Sequence, residues 1–229
     1  MAERQVVESL LRFGRSQHGG LYTPDRQADR FIRTNWNAWL IGVIFDQGIP
    51  AEKAWEAPYL LKQRLGHFNI RRLARTPVSD LRRVVRQAPA LHRYVGKLPA
   101  WIKVAARKLV KEYDGDAANI WKGCLTAGEV IERPDDFPGI GLKKAHMAAR
   151  DLHENACDFY RWNQINMAVD VHVRRVWKRA GLVRDTSPAG IMATATRLWP
   201  KYPGELDAPT WWIGMTWCRQ RCGLRRRTT

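Results

Sequence analysis

Two glycines, two lysines and one aspartate stand at spacings that could support chemistry. The segment Phe137-Pro138-Gly139-Ile140-Gly141-Leu142-Lys143-Lys144-Ala145 sets Gly139 and Gly141 two residues apart, just ahead of the lysines. A short helical stretch over 126–132 precedes it and a second helix follows. Glycines at that spacing let a backbone turn tightly and approach a partner closely, and a helix start offers unpaired N–H groups; together they form a nest for a phosphate oxygen. Ile140, between the glycines, packs between the two helices and sets their angle. Lys143 and Lys144 fall in the first turn of the following helix, the positive end of its dipole. That placement, their mutual charge and nearby Arg150 disfavour the ammonium form, and a neutral amine is what nucleophilic attack requires. Each lysine is open to two roles, nucleophile or charged phosphate donor. The first is favoured for Lys143 and the second for Lys144.

Asp170 lies in Ala168-Val169-Asp170-Val171-His172-Val173, directly before an apolar-periodic stretch. That is the place of a helix N-cap. A capping carboxylate receives backbone N–H bonds, stays ionised at neutral pH and is held rigidly, so it can also stabilise a developing sugar cation. His172 reads as a hydrogen-bonded side chain rather than a catalytic one.

The elements that position these residues read as helices. Val6, Leu10 and Phe13 share a face. Trp36–Phe45 is apolar almost all round, as in a buried helix. Trp101, Val104, Ala105, Leu109 and Tyr113 recur at helical spacing, as do Ala145, Ala148, Ala149 and Leu152, and again Val169, Val173, Val176, Trp177 and Ala180, ending at Gly181. Alternating β-branched runs are scarce, so the fold class expected is all-α. No strand precedes the glycines and no Gly-Lys-Ser/Thr follows them, which disfavours a nucleotide-binding loop. A helix-hairpin-helix that binds DNA fits better; an ordinary helix–helix turn is the alternative.

The chain has 229 residues and a net charge of +17. Between Lys62 and Lys111 stand fourteen Lys and Arg against one acid, Asp80, and Arg219, Arg221, Arg225, Arg226 and Arg227 crowd the end. Such an excess points to a polyanion, nucleic acid being the commonest, although part of the first block could be a solvated face. Membrane-spanning and secretory segments are not expected, and a cytoplasmic, nucleoid-associated location follows. Cys124, Cys157, Cys218 and Cys222 are too few and too scattered for a disulfide framework.

The hairpin, with Lys143 followed 27 residues later by Asp170, resembles the helix-hairpin-helix (HhH-GPD) DNA glycosylase superfamily of base-excision repair. Its endonuclease III branch is the nearest pattern. There Leu-Pro-Gly-Val-Gly-Arg-Lys-Thr-Ala is followed by Val-Asp-Thr-His. The likeness reaches back to Trp39-Leu-Ile-Gly-Val-Ile-Phe-Asp-Gln47. It implies that Gly139, Ile140 and Gly141 form a hairpin on DNA phosphate, with Lys144 as a further DNA contact and a monovalent cation on the hairpin carbonyls. It places Lys143 at the nucleophile position and Asp170 at the catalytic aspartate. Gln47 matches the residue that fills the gap left by a flipped nucleotide. It also implies a two-lobed fold, with residues 28–155 as the central lobe and 1–27 plus 156–229 as the second. The substrate site would lie in the cleft between the lobes. The partner would be duplex DNA carrying a damaged base, bound by a monomer.

Endonuclease III usually holds an iron–sulfur cluster on four C-terminal cysteines. Here Cys218 and Cys222 are the only pair near the end, so no cluster and no catalytic metal is expected. The reaction implied is base removal through a lysine Schiff base, with strand cleavage. A glycosylase using activated water, or a non-catalytic helix-hairpin-helix binder, are the alternatives. The damaged base itself is not legible in the sequence.

The charge distribution generates a first prediction. DNA affinity should fall by orders of magnitude between about 50 and 200 mM salt, because neutralised phosphates release counterions. A nearly flat response in a filter-binding titration would remove the basic-surface argument.

Overall fold

The computed structural model describes residues 2–17, 20–155 and 159–218. The described residues form thirteen α-helices and two short 3-10 turns, with one isolated bridge between Thr126 and Tyr160. The helices are α1 (Ala2–Ser16), α2 (Arg26–Thr34), α3 (Trp36–Phe45), α4 (Ala51–Leu65), α5 (Ile70–Arg75), α6 (Val78–Arg86), α7 (Leu98–Glu112), α8 (Ala118–Trp121), α9 (Ala127–Asp135), α10 (Leu142–Asn155), α11 (Val171–Arg179), α12 (Pro188–Leu198) and α13 (Asp207–Thr216). The all-α expectation is met. No helix among the described residues is long and apolar enough to cross a membrane.

Two compact units emerge. One gathers residues 20–125 and 129–148; the other gathers 2–17, 126–128, 149–155 and 159–218. The sequence reading drew its boundaries at 28 and 155. The observed ones fall before residue 20 and inside α10, between 148 and 149.

The first unit is built round α3. Asn35 caps its start, its side-chain oxygen accepting the Ala38 N–H at 3.0 Å. Ala38 through Phe45 are then all buried, as an apolar run without a polar face requires. Gly42 lets α4 come close: a Cβ there would stand 2.6 Å from the Trp55 ring. On α7 the buried stripe is Ile102, Ala105, Ala106 and Leu109, whereas Val104 is 49% exposed. The helical spacing puts Val104 on the same face as Trp101 and Ala105. Helical rotation of about 100° per residue carries it roughly 200° from Ile102, onto the outer face.

The second unit has its own core: Val7, Leu10 and Leu11 of α1, Val173 and Trp177 of α11, Ile191 and Ala195 of α12, and Leu206. Trp177 donates its indole N–H to Thr210 Oγ1 at 3.1 Å, and Thr210 donates to the Leu206 carbonyl at 2.6 Å. Burying an indole costs little once its one donor is satisfied.

Part of the basic block is structural. Arg64 donates to the carbonyls of Val84, Gln87 and Pro89, capping the end of α6. Lys108 pairs with Glu112 at 3.0 Å, and Arg107 reaches the Ala74 carbonyl. Arg72, Arg75, Arg82, Arg86, Lys97 and Lys111 stay exposed. Part of the block thus serves the fold, and the rest lies on the surface, where a solvated face and a polyanion-binding face are both open.

Candidate functional site

The hairpin turn runs between α9 and α10. Phe137 and Ile140 are buried, and two backbone bonds close the turn: Phe137 N to the Pro134 carbonyl and Ile140 N to the Phe137 carbonyl, both 3.0 Å. Gly139 takes φ +79°, the left-handed region glycine adopts without strain. A Cβ on it would also stand 2.8 Å from the Trp101 ring and 3.3 Å from Gln47 Nε2. Gly139 is thus required by the chain itself.

Gly141 is different. Its φ is not positive, and a Cβ built on it would meet nothing within 4 Å. Nothing inside the protein demands a glycine there. It is exposed and directly precedes α10, whose first N–H groups lack intrahelical partners. The absent side chain leaves room for something outside the chain, and a phosphate oxygen suits a helix start.

The two lysines part company at this helix start. Lys143 is exposed. Lys144 is 5% exposed, its Nζ donating to the Val43 carbonyl at 2.8 Å and the Ile44 carbonyl at 3.1 Å. Those carbonyls belong to the last turn of α3, where C=O groups lack intrahelical partners and the dipole is negative. This corrects the expectation that Lys144 meets DNA phosphate: its ammonium lies inside the first unit, directed at α3. The lysine that the fold desolvates is therefore Lys144. Burial pushes its pKa down to about 8, Lys143 adds to the fall, and Asp46 opposes it. The alanine stripe of α10 carried the signal, since counting back one turn from Ala148 gives Lys144, not Lys143.

Gln47 sits on the same α3 terminus. Its Nε2 donates to the Ile44 carbonyl at 2.9 Å, and its own carbonyl lies 3.0 Å from His92 Nε2. The structure thus brings Gln47, Gly139, Ile140 and Lys144 together in one unit. His92 and Trp101 complete this cluster, and sequence reading missed both as partners of the hairpin. Trp101 read only as a core position on α7. His92 is buried, which lowers its pKa against the opposing bonds from the Gln47 and Phe45 carbonyls.

Asp170 belongs to the second unit. It caps α11, its Oδ1 accepting the N–H groups of His172 at 2.8 Å and Val173 at 2.9 Å. Its side chain is fixed by those two bonds at the start of the helix. His172 Nδ1 lies 2.9 Å from the Arg175 guanidinium, which also donates to the Gly214 carbonyl at 2.7 Å, so His172 is held in a structural network. Cys218 accepts from Arg179 on Sγ at 3.0 Å. Cys157, Cys222 and the arginines from 219 onward lie outside the described residues.

Comparison with known proteins gives the family and the fold. The HhH-GPD superfamily base excision DNA repair protein family matches residues 41–201. No curated protein matches the sequence. Among solved structures, a trapped endonuclease III–DNA covalent intermediate in an estranged-adenine complex is 17% identical, with a TM-score of 0.68, covering 98% of this chain and 91% of that one. A non-covalent endonuclease III–DNA complex gives 17% identity and a TM-score of 0.65 over the same shares. A thermostable thymine-DNA glycosylase gives 15% and 0.62, covering 96% of this chain and 89% of the other. At these identities the likeness is one of fold.

Two predictions follow from the hairpin and its lysine. Gly139→Ala should lower stability by roughly 1–3 kcal/mol, since it meets both a left-handed φ and an aromatic ring. Gly141→Ala should leave the melting temperature almost unchanged while weakening DNA binding; equal losses of stability in both variants would contradict the distinction.

Lys144 should make stability pH-dependent. Its folded pKa of about 8 lies below the ordinary 10.5. Between those values the unfolded chain binds the proton more tightly, so stability rises with pH across that window, by at most about 1.4 kcal/mol per pH unit. Urea unfolding of the protein against Lys144→Met should show the gap between them widening from pH 8 to pH 10. A constant gap would contradict the depressed pKa.

Proposed function

We propose, for a chain that belongs to the HhH-GPD superfamily of base excision DNA repair proteins, that it is a DNA glycosylase with abasic-site lyase activity on duplex DNA carrying a damaged base. The observation that carries the reading is the division between adjacent lysines. Lys144 is held inside on α3, and Lys143 stands exposed two residues after the open Gly141.

The hairpin backbone and the first N–H groups of α10 would hold a phosphate of the damaged strand, which fixes register without reading bases. The damaged nucleotide would leave the stack, and Gln47 would occupy the vacated space. Lys143 attacks C1′ of the sugar through its Nζ while the bond from C1′ to the base nitrogen breaks. The departing base takes up a proton. Asp170, anchored as a helix cap, supplies the negative charge that stabilises the oxocarbenium-like sugar and receives the proton lost by the lysine. Ring opening gives a Schiff base. Loss of a C2′ proton then expels the 3′ phosphate and cuts the strand.

None of these steps needs a redox partner. The chain's four cysteines lack the spacing of a four-thiolate cluster, so we assign it no iron–sulfur centre.

The decisive test is borohydride trapping on a duplex with an intact damaged base. A covalent protein–DNA adduct is expected, lost in Lys143→Gln together with strand cleavage. Asp170→Asn should keep the cap and the melting temperature yet slow excision by roughly a hundredfold, since an amide can cap but carries no charge. Base release at the full rate by Lys143→Gln would instead make the enzyme monofunctional, with water as nucleophile. An adduct that depends on Lys144 would shift the nucleophile by one residue.

A further inference from the structure

The segment after α10 builds a feature that the hairpin chemistry does not use. A cleft of about 460 Å³ is lined by Tyr160, Arg161, Trp162, Asn163, Pro200 and Lys201. Tyr160 is 77% exposed and Trp162 44% exposed. Two large rings exposed side by side in one cleft, unlike apolar residues scattered singly over a surface, call for a reason.

These rings are held out by a fixed frame. The Tyr160 carbonyl accepts the Ala127 N–H at 2.8 Å, and Thr126 bridges to Tyr160. Gln164 Oε1 accepts the Gly128 N–H at 2.9 Å, tying the far end of the segment to the start of α9. Between them, Trp162–Gln164 forms a 3-10 turn, closed by Ile165 N to the Trp162 carbonyl at 2.9 Å. The Trp162 indole N–H donates to the Phe159 carbonyl, and its ring lies on His153 with centroids 4.3 Å apart. Arg161, separating the two aromatics, takes φ +60°, a left-handed conformation that costs a side-chain-bearing residue energy. The surrounding bonds hold it there.

The lining decides the class of ligand. It offers two aromatic rings, one guanidinium, one ammonium and one amide, and no carboxylate. Rings favour a flat π-system, the cations favour a phosphate, and the amide can meet polar base edges.

We propose that this cleft binds an unpaired nucleotide of a DNA strand, its base on Tyr160 and Trp162 and its phosphate toward Arg161 and Lys201. The proposal rests on the reading of the chain as a DNA repair protein. It adds a second, single-strand contact to that reading.

The test uses the full chain, a fluorescein-labelled single-stranded thymidine oligonucleotide of ten residues, and an undamaged duplex of equal length, read by fluorescence anisotropy. Tyr160→Ala combined with Trp162→Ala should weaken single-strand binding about tenfold, in line with stacking losses, and leave duplex binding within twofold. Tyr160→Ala alone, whose side chain is almost free of the fold, should give part of that loss. Tyr160→Phe with Trp162→Phe should restore it. Single-strand affinity unchanged in the double alanine variant overturns the proposal. So does an equal loss of binding to polyglutamate, which would make the cleft a general anion patch. Base release from a damaged duplex is measured on the same preparations. Excision with ring-independent single-strand binding sinks the cleft alone; ring-dependent binding without excision sinks the glycosylase reading alone.

Discussion

The hairpin's place in its unit depends on one buried ammonium. Lys144 reaches from the first turn of α10 to the last carbonyls of α3. Two effects compete there. Charge-assisted hydrogen bonds and the negative end of the α3 dipole favour the cation, while removal from water disfavours it. Desolvation is the larger, since the pKa settles at about 8 rather than above 10.5. The bonds are retained all the same, because without Lys144 the Val43 carbonyl would lose the ammonium that meets it in the interior. The consequence is geometric. Gln47, on the same terminus, shares the Ile44 carbonyl with Lys144, and its amide lies against the Gly139 turn. The phosphate-binding turn and the glutamine that faces the DNA gap in the proposed reaction are thereby held as one piece.

Asp170 shows a second economy of the fold. A carboxylate at a helix start needs no separate machinery to stay fixed, because two N–H groups bind one of its oxygens. Structural and chemical roles therefore do not compete at this position. They do compete at a lysine, whose charge can either hold a helix end or react as a free amine. In the proposed reaction the chain divides these tasks between neighbours, Lys144 inside and Lys143 outside.

Much of the fold was legible wherever local pattern and burial coincide. The apolar run from Trp36 to Phe45 is the observed α3 to the residue, and Asp170 caps α11 as its sequence context requires. The misreadings share one cause. Val104 on α7 and Lys144 on α10 each lie near the border of a helical stripe, where rotation relative to the neighbouring helix decides inside from outside. That rotation is set by tertiary packing, here by Trp101 under the turn and by the end of α3. His92 and Trp101 were illegible as partners of the hairpin for a related reason. They come from distant parts of the chain, and no short spacing links either of them to Gly139 or Gln47.

The two glycines of the hairpin sharpen what belongs to folding and what to function. Gly139 is explained within the chain, by φ +79° and by the ring of Trp101 at 2.8 Å. A designer wanting only a stable turn would keep it and would be free to replace Gly141, which has open space where a side chain would go. An exposed glycine at a helix start loses more conformational freedom on folding than an alanine there would, so retaining it without an internal need works against stability. In the proposed reading the compensation comes from outside, from a partner whose atoms approach the backbone more closely than a Cβ allows. On a chain of net charge +17, at the positive end of a helix, an anion such as the proposed DNA phosphate suits that place.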